Sequence, residues 1–372
     1  MNNKKILTII LIILFIGFVA ERINTNKSDV YEEQNKISIK KNKNLLSMNL
    51  EQTAGAGDYK TVTQSSWPTE GYEFNTELSR CEKGSELSWD DTKKAVIMQG
   101  NVSDKCYVYF DLIPSMTLAE YVISQYTGVQ GENGIYYHNS SLENGAGDNS
   151  YRYAGASNNV NNYICLGSDA TTCPDANLFR IIGVFGDQTK VIRAKSVGDQ
   201  KWNTSKANAW SSSSLNTYLN GEYLTNLGTL ADKIATTTWK VGGGSSTYLY
   251  DVPTTAYQYE VGSSASTTTY EAKIGLMYAS DYGFAASSSA WTTKLSSYSS
   301  NTSKNWLYLG SYEWTISRYS GGTTGAFVVG GSGGVGSDAV TSSCAARPSF
   351  NLESSVKYVS GSGTIENPIR IN

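Results

Sequence analysis

His138 is the only histidine in the chain, so acid–base catalysis, an imidazole zinc site or a Ser-His-Asp triad would each have to run through it. It stands in the polar stretch IYYHNSS, with no second histidine and no cysteine motif beside it, and reads as an ordinary loop residue. Five cysteines offer other chemistry. Cys81 and Cys106 lie 25 residues apart and flank alternating apolar–polar stretches, whereas Cys165 and Cys173 lie 8 apart around Gly167-Ser168-Asp169. No CxxC occurs, which argues against a zinc ribbon or a thioredoxin-type site. In an exported chain, proximity favours bridges Cys81–Cys106 and Cys165–Cys173, with Cys344 left over, although other pairings of five cysteines stay open.

Gly331-Ser332-Gly333-Gly334-Val335-Gly336 matches GxGxxG after the apolar run AFVV, and Glu353 follows seventeen residues later. A dinucleotide site also needs an amphipathic helix after the glycines, and SDAVTSSCA does not supply one. The run reads instead as a flexible hairpin tip between core strands. Two acidic loops, Glu143 to Asp148 and Asp169 to Asp175, carry oxygen ligands that calcium would accept, without an EF-hand pattern. Glycosidase chemistry would need two carboxylates about 5 to 10 Å apart. From Val241 to Trp314 the acids are Asp251, Glu260, Glu271, Asp281 and Glu313, and sequence does not say which of them converge.

Tyrosines carry more information. TYLYDVPTTAYQYE sets Tyr248, Tyr250, Tyr257 and Tyr259 in alternating pairs, which strands would direct to one face each. Tyr, Ser, Gly and Asn together make adaptable recognition surfaces, so these four are the candidate ligand-binding residues, weighed against service as half-buried strand residues. Arg347-Pro348 reads as structural, with Pro348 opening the last core strand and Arg347 paired to a nearby acid.

The elements that position these residues lie in a chain of 372, long enough for two domains. Charged residues make up 17% while aromatics reach 12%, too aromatic for disorder and too sparsely charged for an ordinary cytosolic enzyme. A net charge of -3 gives no cationic field to hold nucleic acid.

Lys4 and Lys5 precede an uncharged run from Ile6 to Ala20 that would span roughly 22 Å as a helix, against a hydrocarbon core of roughly 30 Å. This is an export segment, either a signal peptide or a short anchor. Cleavage after Ala20 would place Phe18 at the -3 position, where a small residue is preferred, so retention as a single-pass anchor with the bulk outside the cell is expected, and secretion after cleavage is the alternative. No cysteine near the run allows a lipoprotein, and only MNNKK precedes it, which argues against a pilin. Residues 1 to 50 carry eight basic and four acidic side chains, a balance suited to a membrane-proximal stalk.

The expected organisation is a signal anchor over 1–23, a linker over 24–51, a small all-β domain over 52–113 and an α+β domain with long loops over 114–372. In the first domain Lys94 to Met98 and Cys106 to Phe110 read as strands. The second opens on TLAEYVISQYTG, where Thr117 and Glu120 form a capping box and Gly128 ends the pattern. Strands are expected at Asn162 to Cys165, Leu178 to Phe185 and Thr189 to Ala194. A second helix is expected at Ser213 to Asn226, with Leu215, Tyr218, Leu219 and Tyr223 on one face. Beyond Val241, short strands are expected among Ser/Thr/Gly/Tyr-rich loops.

The ordered set NNYICLGSDATTCPDANLFRIIGVF, WSSSSLNTYLNGEYL, NWLYLGSYEWTISR and AARPSFNL resembles an uncharacterised extracellular domain family of surface proteins in low-GC Gram-positive bacteria, over roughly Leu118 to Asn372. More distantly, a helix followed by Trp314 to Arg318, a Gly-rich hairpin and Arg347-Pro348 is similar to the formylglycine-generating-enzyme branch of C-type-lectin-like folds. That second resemblance implies a lectin-like scaffold without the chemistry, because the catalytic cysteine pair of those enzymes has no counterpart and Cys344 is isolated. Together these readings imply a non-enzymatic cell-surface binding or adhesion protein, with a glycan or protein ligand, attached to the membrane through residues 6–20 and needing no cofactor. The alternatives are an envelope glycan or peptide hydrolase and a structural surface spacer.

Overall fold

A computed structural model describes residues 46–372 except 64, 65, 69, 70, 102 and 114. The expected anchor and most of the expected linker lie outside the described residues. Among the described residues no helix is long and apolar enough to cross a membrane. The protein is α+β, and it divides into two compact units between Ser115 and Met116.

The N-terminal unit is built on a five-stranded sheet. Its inner strands are Leu46–Glu51 and Cys106–Leu112, which run parallel, with Leu46 opposite Cys106 and Leu50 opposite Phe110. Tyr59–Val62 pairs antiparallel on the far side of Leu46–Glu51, and both Tyr72–Phe74 and Arg80–Cys81 pair with Cys106–Leu112. This corrects the linker expected over 24–51, since residues 46–51 form an interior strand. Leu46, Met48 and Leu50 alternate with polar residues, and Met48 and Leu50 join Phe74, Val108 and Phe110 in a small core. Their polar neighbours are held as well. Asn49 Nδ2 donates to the Val108 carbonyl at 3.3 Å, and the buried Glu51 carboxylate accepts from the Gly57 and Leu112 N–H groups at 2.8 and 3.0 Å. Cys81 sits opposite Cys106 in the ladder, and a disulfide joins them.

The C-terminal unit opens on helix Leu118–Ser124. Thr117 Oγ1 accepts from the Glu120 N–H at 3.1 Å and the Glu120 carboxylate accepts from the Thr117 N–H at 2.7 Å, completing the box. Seven strands form one sheet in the order Ile274–Gly275, Ser349–Leu352, Gln188–Arg193, Leu178–Phe185, Tyr151–Tyr153, Ile135–Tyr137, with Tyr163–Cys165 also on Leu178–Phe185. Leu178 to Val184 are all buried, as expected of a central strand covered on both faces. Gly183 is required there, because a Cβ would meet the Tyr151 carbonyl oxygen at 2.2 Å. A second sheet runs Asp199–Lys201, Ser343–Ala345, Glu313–Arg318, Gly325–Val329, Val335–Ala339.

The helix expected from Ser213 starts at Ser214, with Ser213 Oγ accepting from the Asn216 N–H at 3.1 Å. It does not stay α-helical. Ser214–Tyr218 passes into a π-helical turn, Leu219–Tyr223, before Leu224–Asn226. Beyond Val241 the expected short strands are joined by helices Ser246–Leu249, Pro253–Glu260 and Ala279–Phe284. The last is wholly buried, so helices are not confined to the early part of this unit.

Candidate ligand-binding site

The four candidate tyrosines lie on the helices Ser246–Leu249 and Pro253–Glu260, or at their ends, not on strands. Pro253 explains the difference. Its fixed φ suits the first helical position, and the extended Val252 before it serves as N-cap. Two helices therefore replace the period-two pairs, and the four rings go to three places. Tyr248 and Tyr259 stack with centroids 3.5 Å apart and planes 3° from parallel. Tyr250 turns its edge to Phe327 and donates its hydroxyl to Ser337 Oγ at 3.1 Å. Tyr257 packs on Phe284 and on the Arg152 guanidinium. All four are half-buried.

The acids that might have served a hydrolase are mostly internal. Asp281 accepts from Lys190 Nζ at 2.5 Å and from the Tyr278 N–H at 2.9 Å, with Arg152 at 3.6 Å. Glu260 accepts from the Ala279 and Ser280 N–H groups, each at 2.9 Å, and from the Ser317 hydroxyl, so it caps the buried helix while burial pushes its carboxyl up. Glu313 is engaged by Arg347, for which pairing with an acid was expected and is seen here at Glu313. Asp251 lies 4.0 Å from Lys294, and Glu271 is exposed on the strand Thr269–Ala272.

His138 lies in the loop after Ile135–Tyr137, as expected, but it is fully buried there. Its Nδ1 accepts from the Ala146 N–H at 3.0 Å, and its ring meets Phe284 edge-on and tilts against Trp291. Burial, then the charge of Arg152, push its pKa well below the usual imidazole value, so it is a neutral core acceptor. The glycine run forms the expected hairpin tip between Gly325–Val329 and Val335–Ala339, but the tip is tied down, with Gly333 and Gly331 carbonyls accepting from Tyr282 and Tyr308. In the acidic loops, Asp148 is bound by Arg152 and Ser150, and Asp175 by Lys195. Among the described residues no group of three or more His, Cys, Asp or Glu is placed to hold a metal ion.

Two cavities open beside the second disulfide, Cys165–Cys173. The first, about 570 Å³, is bordered by Asp169, Lys233, Glu366, Asn367 and Arg370. Arg370 is committed to its wall, donating to the Ser168 and Ala170 carbonyls at 2.6 and 2.7 Å. The second, about 420 Å³, shares Gly167 and Leu230 with the first, and Arg193, Tyr218, Tyr223 and Asn226 face it. Both volumes fall in the range of small-ligand sites, roughly 300 to 1,000 Å³.

The π turn builds the second cavity. Residues five apart on an α-helix lie well round the cylinder from each other, whereas i→i+5 bonding brings them onto one side. Tyr218 and Tyr223 are such a pair, their ring centroids 6.3 Å apart. Burial pushes the Tyr223 phenol up to about 12, and its hydroxyl has no hydrogen-bond partner among the described residues. Arg193 ends the strand Gln188–Arg193. Its guanidinium makes one hydrogen bond, Nη1 to the Ser196 carbonyl at 3.3 Å; Nε has no partner, and no carboxylate among the described residues lies within 4 Å. The sequence placed Tyr218 and Tyr223 on one helix face but gave no signal linking them to Arg193, which is remote along the chain.

Comparison of the chain with protein-family models, with curated proteins and with solved structures finds no match to any of them.

Proposed function

We propose that this chain is a non-enzymatic binding or adhesion protein of the cell surface, anchored through residues 6–20, whose C-terminal unit recognises a glycan or protein ligand. The observation that carries this reading is the division of charge within that unit. Glu260, Asp281 and Glu313, three of the acids available for catalysis, are consumed in the interior, while on the two solvent-facing cavities the acidic side chains are Asp169 and Glu366, both on the first, and the other polar groups are amides, hydroxyls, tyrosines and cations among apolar residues. Recognition needs those groups on a rigid wall, and a covered central strand and a disulfide supply the rigidity. Two disulfides fit an extracellular or secreted protein. The resemblance to surface-protein domains and to lectin-like scaffolds points the same way.

A hydrolase is the second reading, favoured by one feature. Asp169 and Glu366 border the same cavity, though both are solvent-exposed and so lack the desolvation that tunes a general acid. Glycan and peptide arrays probed with the full chain in detergent test the proposal. Saturable binding to a defined ligand class supports it. Turnover of an array ligand that is abolished by Asp169→Asn or Glu366→Gln replaces it with the hydrolase, and neither binding nor turnover leaves the surface spacer.

A further inference from the structure

We propose that the cavity formed by Arg193, Tyr218 and Tyr223 binds a carboxylate-bearing sugar, with the guanidinium on the carboxylate and the Tyr218 ring against the sugar. The proposal rests on the binding reading above and names its ligand class.

Arg193 is the only charged residue on this wall, so the cavity offers one positive charge. That matches a carboxylate better than a phosphate monoester, which carries -1.5 to -2 near neutral pH. A guanidinium presents a planar fork that takes two carboxylate oxygens, and the fork here is free of any acid among the described residues. Nε and the Tyr223 hydroxyl are closed off from solvent and have no hydrogen-bond partner among the described residues, so a ligand reaches them through a small shift of the two side chains, which for the rigid guanidinium gives up the long 3.3 Å bond from Nη1 to Ser196. Leaving such groups unpaired costs stability, so a ligand that pairs them recovers part of that cost.

The other walls favour a sugar ring over a bare anion. Leu227 and Leu230 give an apolar floor, Tyr218 gives a half-exposed aromatic face, and the exposed Asn226 amide can both donate to and accept from hydroxyls. The π turn that brings the two tyrosines together is also a distortion of the kind that recurs at functional sites. A peptide C-terminus carries the same carboxylate, and the test below separates it from a sugar.

Calorimetric or NMR titration of the full chain in detergent should use methyl glucuronide, methyl glucoside, and one short peptide with either a free or an amidated C-terminus. We expect the glucuronide to bind about tenfold or more tightly than the glucoside and the free peptide. Arg193→Gln should remove that preference, and Arg193→Lys should recover part of it through charge without the fork. Tyr218→Ala should weaken the glucuronide and glucoside alike, and Tyr223→Phe should weaken the glucuronide with little change in melting. Equal binding of glucuronide and glucoside overturns the proposal, as does unchanged glucuronide affinity in an Arg193→Gln protein that melts like the wild type. Tighter binding of the free peptide than of the sugar also overturns it. If array ligands bind wild type and Arg193→Gln equally, this inference falls while the binding reading stands; a silent array removes the binding reading itself.

Discussion

Arg347 and Glu313 meet edge to edge inside the C-terminal unit, Nε to Oε1 at 2.6 Å and Nη2 to Oε2 at 2.8 Å, with neither side chain more than 3% exposed. Nη2 also donates to the Leu307 carbonyl at 2.6 Å. Removing one member strands the other in the interior, at a cost of about 3 to 5 kcal/mol. Arg347→Met and Glu313→Leu should each lower stability by about that much in urea unfolding, and the double replacement Glu313→Leu with Arg347→Met should cost less than the two singles added. Additive losses would mean that the two side chains stabilise the fold independently.

His138 makes stability depend on pH. Its folded pKa lies well below the unfolded value near 6.5, because burial, then Arg152, disfavour the cation, with Asp148 opposing. A depressed folded pKa means that the unfolded chain takes up the proton first. The contribution is therefore complete above about pH 6.5 and is lost as pH falls below it, by up to about 1.4 kcal/mol per unit. Tm measured from pH 7.5 to 5 should fall, and His138→Gln should flatten that part of the profile. An equally steep profile in the variant would place the titration elsewhere.

Asp148 acts in a more acid window. Arg152 and the Ser150 hydroxyl and N–H overcome burial and hold its pKa at about 2, below the ordinary 3.8. Stability from this group is present above about pH 4 and is lost as pH falls toward 2, amounting to roughly 2 kcal/mol. Asp148→Asn should lower the Tm at neutral pH and lessen the decline below pH 4, as acid unfolding monitored by circular dichroism would record.

The two bridges should behave as local staples. The Cys81–Cys106 loop spans 25 residues of a unit with a core of five buried apolar side chains, and closing it stabilises by roughly 3 to 4 kcal/mol in a chain-entropy account. Cys81→Ser with Cys106→Ser should unfold the N-terminal unit first, seen as early proteolysis within residues 46–112. Non-reducing peptide maps should find Cys81 with Cys106 and Cys165 with Cys173. Cys344 is buried and its thiol is pushed up to about 12 by that burial, so it should resist alkylation until the chain is denatured.

The tyrosines need a separate test, because each ring also packs within the fold. Tyr257→Ala, which removes a ring from Phe284 and Arg152, should cost about 3 kcal/mol or more in stability. Tyr248→Ala and Tyr259→Ala should cost less, since that pair stacks near the surface. Ligand affinity lost at Tyr248 with stability unchanged would return the recognition surface to these helices.

Features that rest on local chemistry were legible before any fold was known. The capping box at Thr117 and Glu120, the hairpin at Gly331 to Gly336, the buried strand LFRIIGVF and both neighbouring cysteine pairs depend on residues close in the chain. Leu46–Glu51 was missed because the Lys-rich segment before it suggested a stalk, although Leu46, Met48 and Leu50 carried the strand alternation. The tyrosine run shows two short periods of strand-like alternation, but Pro253 at the first helical position is the stronger signal and marks a helix. Arg193 was illegible as a site residue for another reason. Its cavity is assembled from a strand end, a π turn and the Gly167 loop, and no local pattern encodes that meeting.

The parallel pairing of Leu46–Glu51 with Cys106–Leu112 has a mechanical consequence for a chain placed under tension. A pull that enters ahead of Leu46 and leaves beyond Leu112 draws these two strands past each other along their length. All the rungs from Leu46 opposite Cys106 to Leu50 opposite Phe110 then share the load together, where a hairpin pulled at its open end would lose them one at a time. If that sheet does yield, the Cys81–Cys106 bond keeps the 25-residue span between them out of the released length, so the N-terminal unit lengthens by a bounded step under drag.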